Sequence, residues 1–171
     1  MPIEVGIWRL GTTPERVHAS VINSERELEK ALADDLSILS PHLMLIGRQV
    51  TTAYGKFIDM LAIDESGNLS IIELKKNQTP REVVAQLIDY ASWVQSLSYE
   101  QISAIYEEKN SGEKLEQAFD DMFDRSLPEQ INQNHELIIV ASELDSSTKR
   151  IISYLQDNYG VPINAVFFRF F

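Results

Sequence analysis

Two carboxylates and an ammonium stand out by type and spacing: Asp59, and then Glu73-Leu74-Lys75. Two carboxylates a few ångströms apart make a hard-oxygen site suited to Mg2+ or Mn2+. An ammonium beside such a site orients or activates a water and offsets charge building on a phosphoryl oxygen. Gln86 and Tyr90 add an amide and a phenol at helical spacing, on one face of the segment that carries them. This is the chemistry of phosphate-ester hydrolysis, provided that the fold brings the groups together.

The positioning elements follow from period and turn chemistry. Phe57 to Ile63 and Leu69 to Lys75 read as strands, joined by Asp64-Glu65-Ser66-Gly67-Asn68. A three-residue loop Glu65-Ser66-Gly67, with Gly67 in the left-handed position, pairs Asp64 with Asn68. Carried along both strands, that register sets Asp59 directly opposite Glu73. Cβ atoms so opposed lie roughly 4.5–5.5 Å apart, and like charges there are destabilising. A divalent cation is the simplest reason for such a pair. Alternation puts Lys75 on the face of Glu73, while Leu74 points away with its carbonyl adjacent, able to complete the coordination. The competing reading makes Glu73 and Lys75 the solvated end of a buried strand, paired with each other or with neighbours; a loop one residue different breaks the Asp59–Glu73 register. The hairpin alone leaves both open.

A helix after this hairpin begins near Gln78, with Thr79 as N-cap, Pro80 in the first position and Glu82 as capping-box partner. Val83, Leu87, Ala91 and Val94 continue it to about Leu97, and its polar face carries Gln86 and Tyr90 toward the strand of Lys75; a polar edge on a packed helix is the plainer account. Upstream, Ile3 to Leu10 reads as a short strand ended by Gly11-Thr12-Thr13-Pro14, and His42 to Val50 as another. Ser24 opens a charged helix with Leu28, Ala31, Leu32 and Leu36 on one stripe and Glu27 placed for a capping box. Glu25 lies on that stripe as well, where the helix dipole explains a first-turn acid. Downstream come helix through Tyr106, an amphipathic piece from Gly112 to Phe123, a strand Leu137 to Ala141, a helix Ser146 to Asn158 and a strand Ile163 to Phe170. Strands mixed with helices imply an α/β fold, a central mixed sheet flanked by helices. One domain over 1–171 is expected, with a strand extension in 1–23, a motif-bearing core in 24–97 and sheet-completing elements in 98–171. The aromatic C-terminal strand reads as a buried edge, with pairing to a second subunit as the sharper reading. Trp93 reads as core.

Composition narrows the function classes. With 171 residues, 44% of them hydrophobic, the chain can build a real core. It has no cysteine, which removes disulfide scaffolds, thiol nucleophiles and cysteine-ligated metals, and it contains no G-x-S-x-G nucleophile elbow. No apolar run is long enough to span a membrane, and a cytoplasmic location fits. The net charge of −11 supplies no general attraction to a polyanion. Arg48, Lys56, Lys75, Lys76 and Arg81 cluster by sequence around the site and are expected to form a local positive rim, unless they are ordinary solvated charges.

Asp59, Glu73-Leu74-Lys75 and Gln86-x-x-x-Tyr90, in this order, resemble the PD-(D/E)XK nuclease superfamily, in its RecB-like branch with the Q-x-x-x-Y helix. The similarity is strongest to the nuclease domain of NucS-type endonucleases, over Ile46 to Tyr90. Ser24-Glu25-Arg26-Glu27-Leu28 matches that family's first helix, and Ile58 stands where its usual proline would precede the aspartate. The resemblance implies a restriction-endonuclease-like core and metal-dependent hydrolysis of DNA, single-stranded or branched forms included. Asp59, Glu73, the Leu74 carbonyl and Glu25 would then hold Mg2+ or Mn2+. Lys75 would position the attacking water, and Gln86 and Tyr90 would support Lys75 or touch the nucleic-acid backbone. NucS-type proteins carry a separate DNA-binding domain ahead of the nuclease domain, for which the residues before Glu25 leave little room. DNA affinity is thus expected from a homodimer, a separate DNA-binding partner or further residues. The other function class is a non-catalytic nucleic-acid-binding or assembly module that keeps the nuclease fold.

Overall fold

The computed structural model describes residues 7–18, 22 and 24–169. Its elements are strands β1 (Ile7–Arg9) and β2 (Glu15–Val17), helix α1 (Glu25–Asp34), a short 3-10 turn (Leu36–Ile38), strands β3 (Leu43–Thr51), β4 (Phe57–Asp64) and β5 (Leu69–Thr79), helices α2 (Glu82–Val94), α3 (Tyr99–Lys109) and α4 (Leu115–Phe123), strand β6 (His135–Leu144), helix α5 (Ser146–Tyr159) and strand β7 (Ile163–Phe167). β3 to β7 form one sheet in that order, and β1 and β2 form a separate pair among the described residues. The sheet is mixed as expected: β3, β4 and β5 run antiparallel as a meander, whereas β5, β6 and β7 are parallel. Parallel neighbours need crossovers, which α2 to α4 and then α5 supply.

Both faces of the sheet are covered, so its central strands read as continuous apolar runs rather than alternating ones. Ile58, Leu61, Ile63, Leu69 and Ile71 pack with Val83, Leu87, Tyr90, Phe119 and Ile152 from α2, α4 and α5. Met60, Ala62, Ile72 and Leu74 pack on the other face with Leu28, Leu32 and Leu36. Leu87 is fully buried, and truncating such a side chain to alanine costs about 2–5 kcal/mol. The N-cap of α1 forms as read, with the Ser24 hydroxyl accepting from the Glu27 N–H at 3.1 Å.

Three elements depart from the sequence reading. β5 does not stop at Lys75: it follows β6 as far as Thr79, opposite Leu144. Thr79 is therefore buried in the sheet, its carbonyl accepting from the Thr148 hydroxyl at 3.1 Å, and cannot cap α2. Arg81 takes the N-cap position without a side-chain bond, because strand pairing outweighs the local capping signal. The Gly11 to Pro14 turn leads into a second strand, so Trp8 lies on a small hairpin opposite Arg16. The expected first strand lies partly, and the end of the last one partly, outside the described residues. No helix among the described residues is long and apolar enough to cross a membrane.

Candidate active site

The β4–β5 hairpin carries the expected register. Gly67 has φ +83°, the Asp64 N–H donates to the Asn68 carbonyl at 2.9 Å, and the Asp64 carboxylate accepts from the Ser66 and Asn68 N–H groups. A Cβ on Gly67 would also come 2.8 Å from Ile131 Cγ2, so glycine is required by space as well as by conformation. Met60 faces Ile72, Leu61 faces Ile71, Ala62 faces Ser70 and Ile63 faces Leu69. The ladder ends there, and one step further the same register brings Asp59 to Glu73. The Leu74 N–H then donates to Asp59 Oδ2 at 2.9 Å, a side chain taking the place of a strand carbonyl.

The two acids sit in unequal surroundings. Asp59 is half-buried; burial pushes its carboxyl above the usual range, and the Leu74 N–H, the Gln49 amide and the charge of Lys75 oppose this. Glu73 is 2% exposed. Burial first, and the charge of Asp59 second, push it up to about 7. Lys75 Nζ donates to Glu73 Oε1 at 2.8 Å, while Glu73 Oε2 is buried with no hydrogen-bond partner among the described residues. Burial works against the Lys75 charge, but the hydrogen bond and charge of Glu73 outweigh it and leave Lys75 raised. The acids repel each other in a poorly solvated place, and one ammonium does not satisfy both.

From α2, Gln86 donates to the Tyr90 hydroxyl at 2.8 Å. Burial raises Tyr90, and Glu73 and Asp59 raise it further, so the phenol stands within the electrostatic reach of both acids. From α1, Glu25 is exposed and accepts the Lys76 N–H at 3.1 Å; its charge acts on Glu73 and Lys75. A cleft of about 780 Å3 opens along α1, lined by Glu25, Glu29, Arg48, Gln49, Asp59 and Leu74 among others. Glu73 does not line it. No group of three or more His, Asp or Glu residues able to hold a metal converges among the described residues.

The basic residues separate. Arg48 lines the cleft but is tied to Glu29, Nε to Oε1 at 2.7 Å. Lys75 is tied to Glu73, Lys76 is half-buried and presents its main chain to Glu25, and Lys56 and Arg81 are exposed and do not line the cleft. Arg26 and Lys109 contribute basic walls in their place. Sequence reading also missed Glu29 and Gln49. Glu29 is buried, and Gln49 Nε2 donates to Glu29 Oε2 at 2.8 Å and to Asp59 Oδ1 at 3.1 Å. A signal for Glu29 existed, since it follows Leu28 on the apolar side of α1 one turn after Glu25; no local signal marks Gln49.

The fold and the opposed acids invite comparison with nucleases. Residues 24–107, from the N-cap of α1 into α3, match the family model described as the endonuclease NucS C-terminal domain. Among solved structures, a repair endonuclease from Pyrococcus abyssi aligns with TM-score 0.50 and 17% identity, over 88% of this chain and 50% of that one. A structure described as an EndoMS–dsDNA2 complex aligns with TM-score 0.52 and 16% identity, over 95% of this chain and 64% of that one. These likenesses show a shared fold, and the chain spans about half to two thirds of the length of those proteins. No curated protein matches the sequence.

Proposed function

We propose that this chain carries a divalent-metal-dependent phosphodiesterase site for DNA, of the PD-(D/E)XK class with a Q-x-x-x-Y helix. The observation that carries the reading is Glu73: a buried carboxylate beside a second one, with one oxygen on Lys75 and the other without a partner among the described residues. Such a site lacks a positive charge, and the donors present are hard oxygens, so Mg2+ or Mn2+ fits. Asp59, Glu73 and the Leu74 carbonyl would hold the ion, with Glu25 at the edge of the set; Mg2+ is commonly held by only one or two carboxylates and keeps several waters, which suits a site without three converging acids. When bound, the ion supplies Lewis-acid stabilisation of the phosphoryl group and lowers the pKa of water.

The chain's own groups do the rest. Lys75, kept protonated by Glu73, orients the attacking water and offsets charge in the transition state. Water attacks in line with the leaving oxygen, without a covalent enzyme intermediate. Tyr90, buried and steadied by Gln86, supports Lys75, and Arg26 and Lys109 supply cations along the cleft beside the Arg48–Glu29 pair. DNA as substrate is supported by the family match and by a fold neighbour described with double-stranded DNA. A separate DNA-binding partner or a second subunit supplies the remaining affinity that a chain of net charge −11 lacks.

One observation favours the second reading, a nucleic-acid-binding or assembly module: Glu73 is buried and does not line the cleft. A cleavage assay on single-stranded, duplex and branched DNA with Mg2+ or Mn2+, comparing the wild type with Asp59→Ala, separates the two. Metal-dependent cleavage that disappears in the variant supports the enzyme. DNA binding without cleavage, unchanged by the substitution and by chelation, supports the module.

A further inference from the structure

Gln49 has φ +47° within strand β3, in the left-handed region that non-glycine residues rarely occupy. The chain reaches it through a register shift between Leu45 and Gly47, the kind of irregularity that re-aims a side chain. Two groups at the end of α3 hold the segment: Lys109 Nζ donates to the Gln49 carbonyl at 3.1 Å, and Asn110 Nδ2 donates to the Ile46 carbonyl at 2.9 Å. Lys109 passes over Gly47, where a Cβ would fall 2.7 Å from its Cγ. A residue is thus kept in a costly conformation by contacts from a distant helix.

From this conformation the side-chain amide reaches two carboxylates. Its two N–H bonds go to Glu29 Oε2 and Asp59 Oδ1, and the other oxygen of Glu29 is taken by Arg48. With the Leu74 N–H on Asp59 Oδ2, each oxygen of Asp59 has one donor, which fixes its plane and leaves a further lone pair on each for another partner. We propose that Gln49 is a positioning residue: its amide, braced by the buried Glu29, which is itself paired with a partly exposed Arg48, and by Lys109, holds the Asp59 carboxylate in the orientation in which it meets Glu73 and the cleft. The proposal rests on the reading of Asp59 as a metal-holding group, and it predicts an effect on Asp59 that does not depend on activity.

The test uses Gln49→Gly, because glycine adopts the left-handed backbone freely and so deletes the amide without the strain. Lys109→Met, which removes the brace and leaves the amide, is the second variant should the first fail to fold. Two readouts apply: hydrogen exchange of the Leu74 amide, which reports how firmly Asp59 is held, and Mn2+ affinity by calorimetry. Gln49→Gly is expected to exchange at Leu74 at least about fivefold faster and to bind Mn2+ about 10–100-fold more weakly, the range for lost partners of metal ligands. Lys109→Met moves both readouts the same way, by less. A folded Gln49→Gly with wild-type exchange at Leu74 and wild-type Mn2+ affinity overturns the proposal. If the wild type binds no Mn2+, the metal reading fails by itself, and Leu74 exchange alone then decides: faster exchange upholds the positioning role and unchanged exchange overturns it.

Discussion

The half of the sheet built from β3, β4 and the first part of β5 differs in kind from the half built from β6, α5 and β7. The second half follows its local signals at the caps of α5 and along the β6–β7 pair. Asp145 caps α5 through the Thr148 N–H at 2.7 Å, Gly160 ends it at φ +62°, and β6 and β7 pair from Leu137 to Ala141 without a register shift. The first half breaks several local rules. It holds the buried Glu73 and is covered by α1 with its buried Glu29, opposes Asp59 to Glu73, and places Gln49 at positive φ within a strand, whereas Ser111, Asp124 and Asn132, the other such residues described, lie outside strands. Departures from locally consistent folding gather where function is expected to impose them.

The contrast can be broken most sharply at the acids. Asp59→Ala and Glu73→Ala should each lower metal-dependent cleavage by at least about 1000-fold, and Lys75→Ala by about 100-fold, the scale of losing electrostatic stabilisation, measured as kcat/KM on a DNA that the wild type cuts. Stability should move in the opposite sense. Glu73 has a folded-state pKa of about 7, above that of an ordinary glutamate, so the folded protein binds the proton more tightly than the unfolded one. Its contribution is present at low pH and is lost as pH rises from about 4.5 to about 7, up to about 3 kcal/mol. Urea unfolding without metal should therefore show higher stability at pH 5 than at pH 8, and Glu73→Gln should flatten that slope and gain about 1–3 kcal/mol at pH 8 while losing cleavage.

Substitutions in the regular half sharpen the comparison from the other side. Gly160→Ala meets open space but must hold positive φ, and should cost about 1 kcal/mol with cleavage per folded molecule unchanged. Smallest of all, Lys56→Ala should leave stability within about 0.5 kcal/mol and Mn2+ affinity unaltered, lowering DNA affinity at most a few-fold with a slightly weaker salt dependence.

How much of this was legible in the sequence depended on whether the signal was local. The β4–β5 register was, because Gly67 and Asp64 specify the turn and the turn specifies every pair along the hairpin. The N-cap of α1 was legible at Ser24 for the same reason. The start of α2 was not legible: Thr79-Pro80-Arg81-Glu82 spells a cap, yet β6 claims Thr79 for the sheet. Gln49 was hidden as well, since its contacts come from far along the chain, the Lys109 ammonium on its carbonyl among them. Which carboxylate each basic side chain finds was not legible either, because nearness in sequence does not fix it; Arg48 found Glu29, and Lys75 found Glu73.

The central claim is that Asp59 and Glu73 form a cation site that the protein leaves short of positive charge. Calorimetric Mn2+ titration of the wild type from pH 5.5 to pH 8.5 tests it directly. Because Glu73 must give up its proton to take the ion, affinity should rise about tenfold per pH unit below about pH 7 and level off above it, and Asp59→Ala should abolish the heat at every pH. A wild type that takes up no Mn2+ across this range, or binds it equally well with Asp59 replaced, would contradict the account.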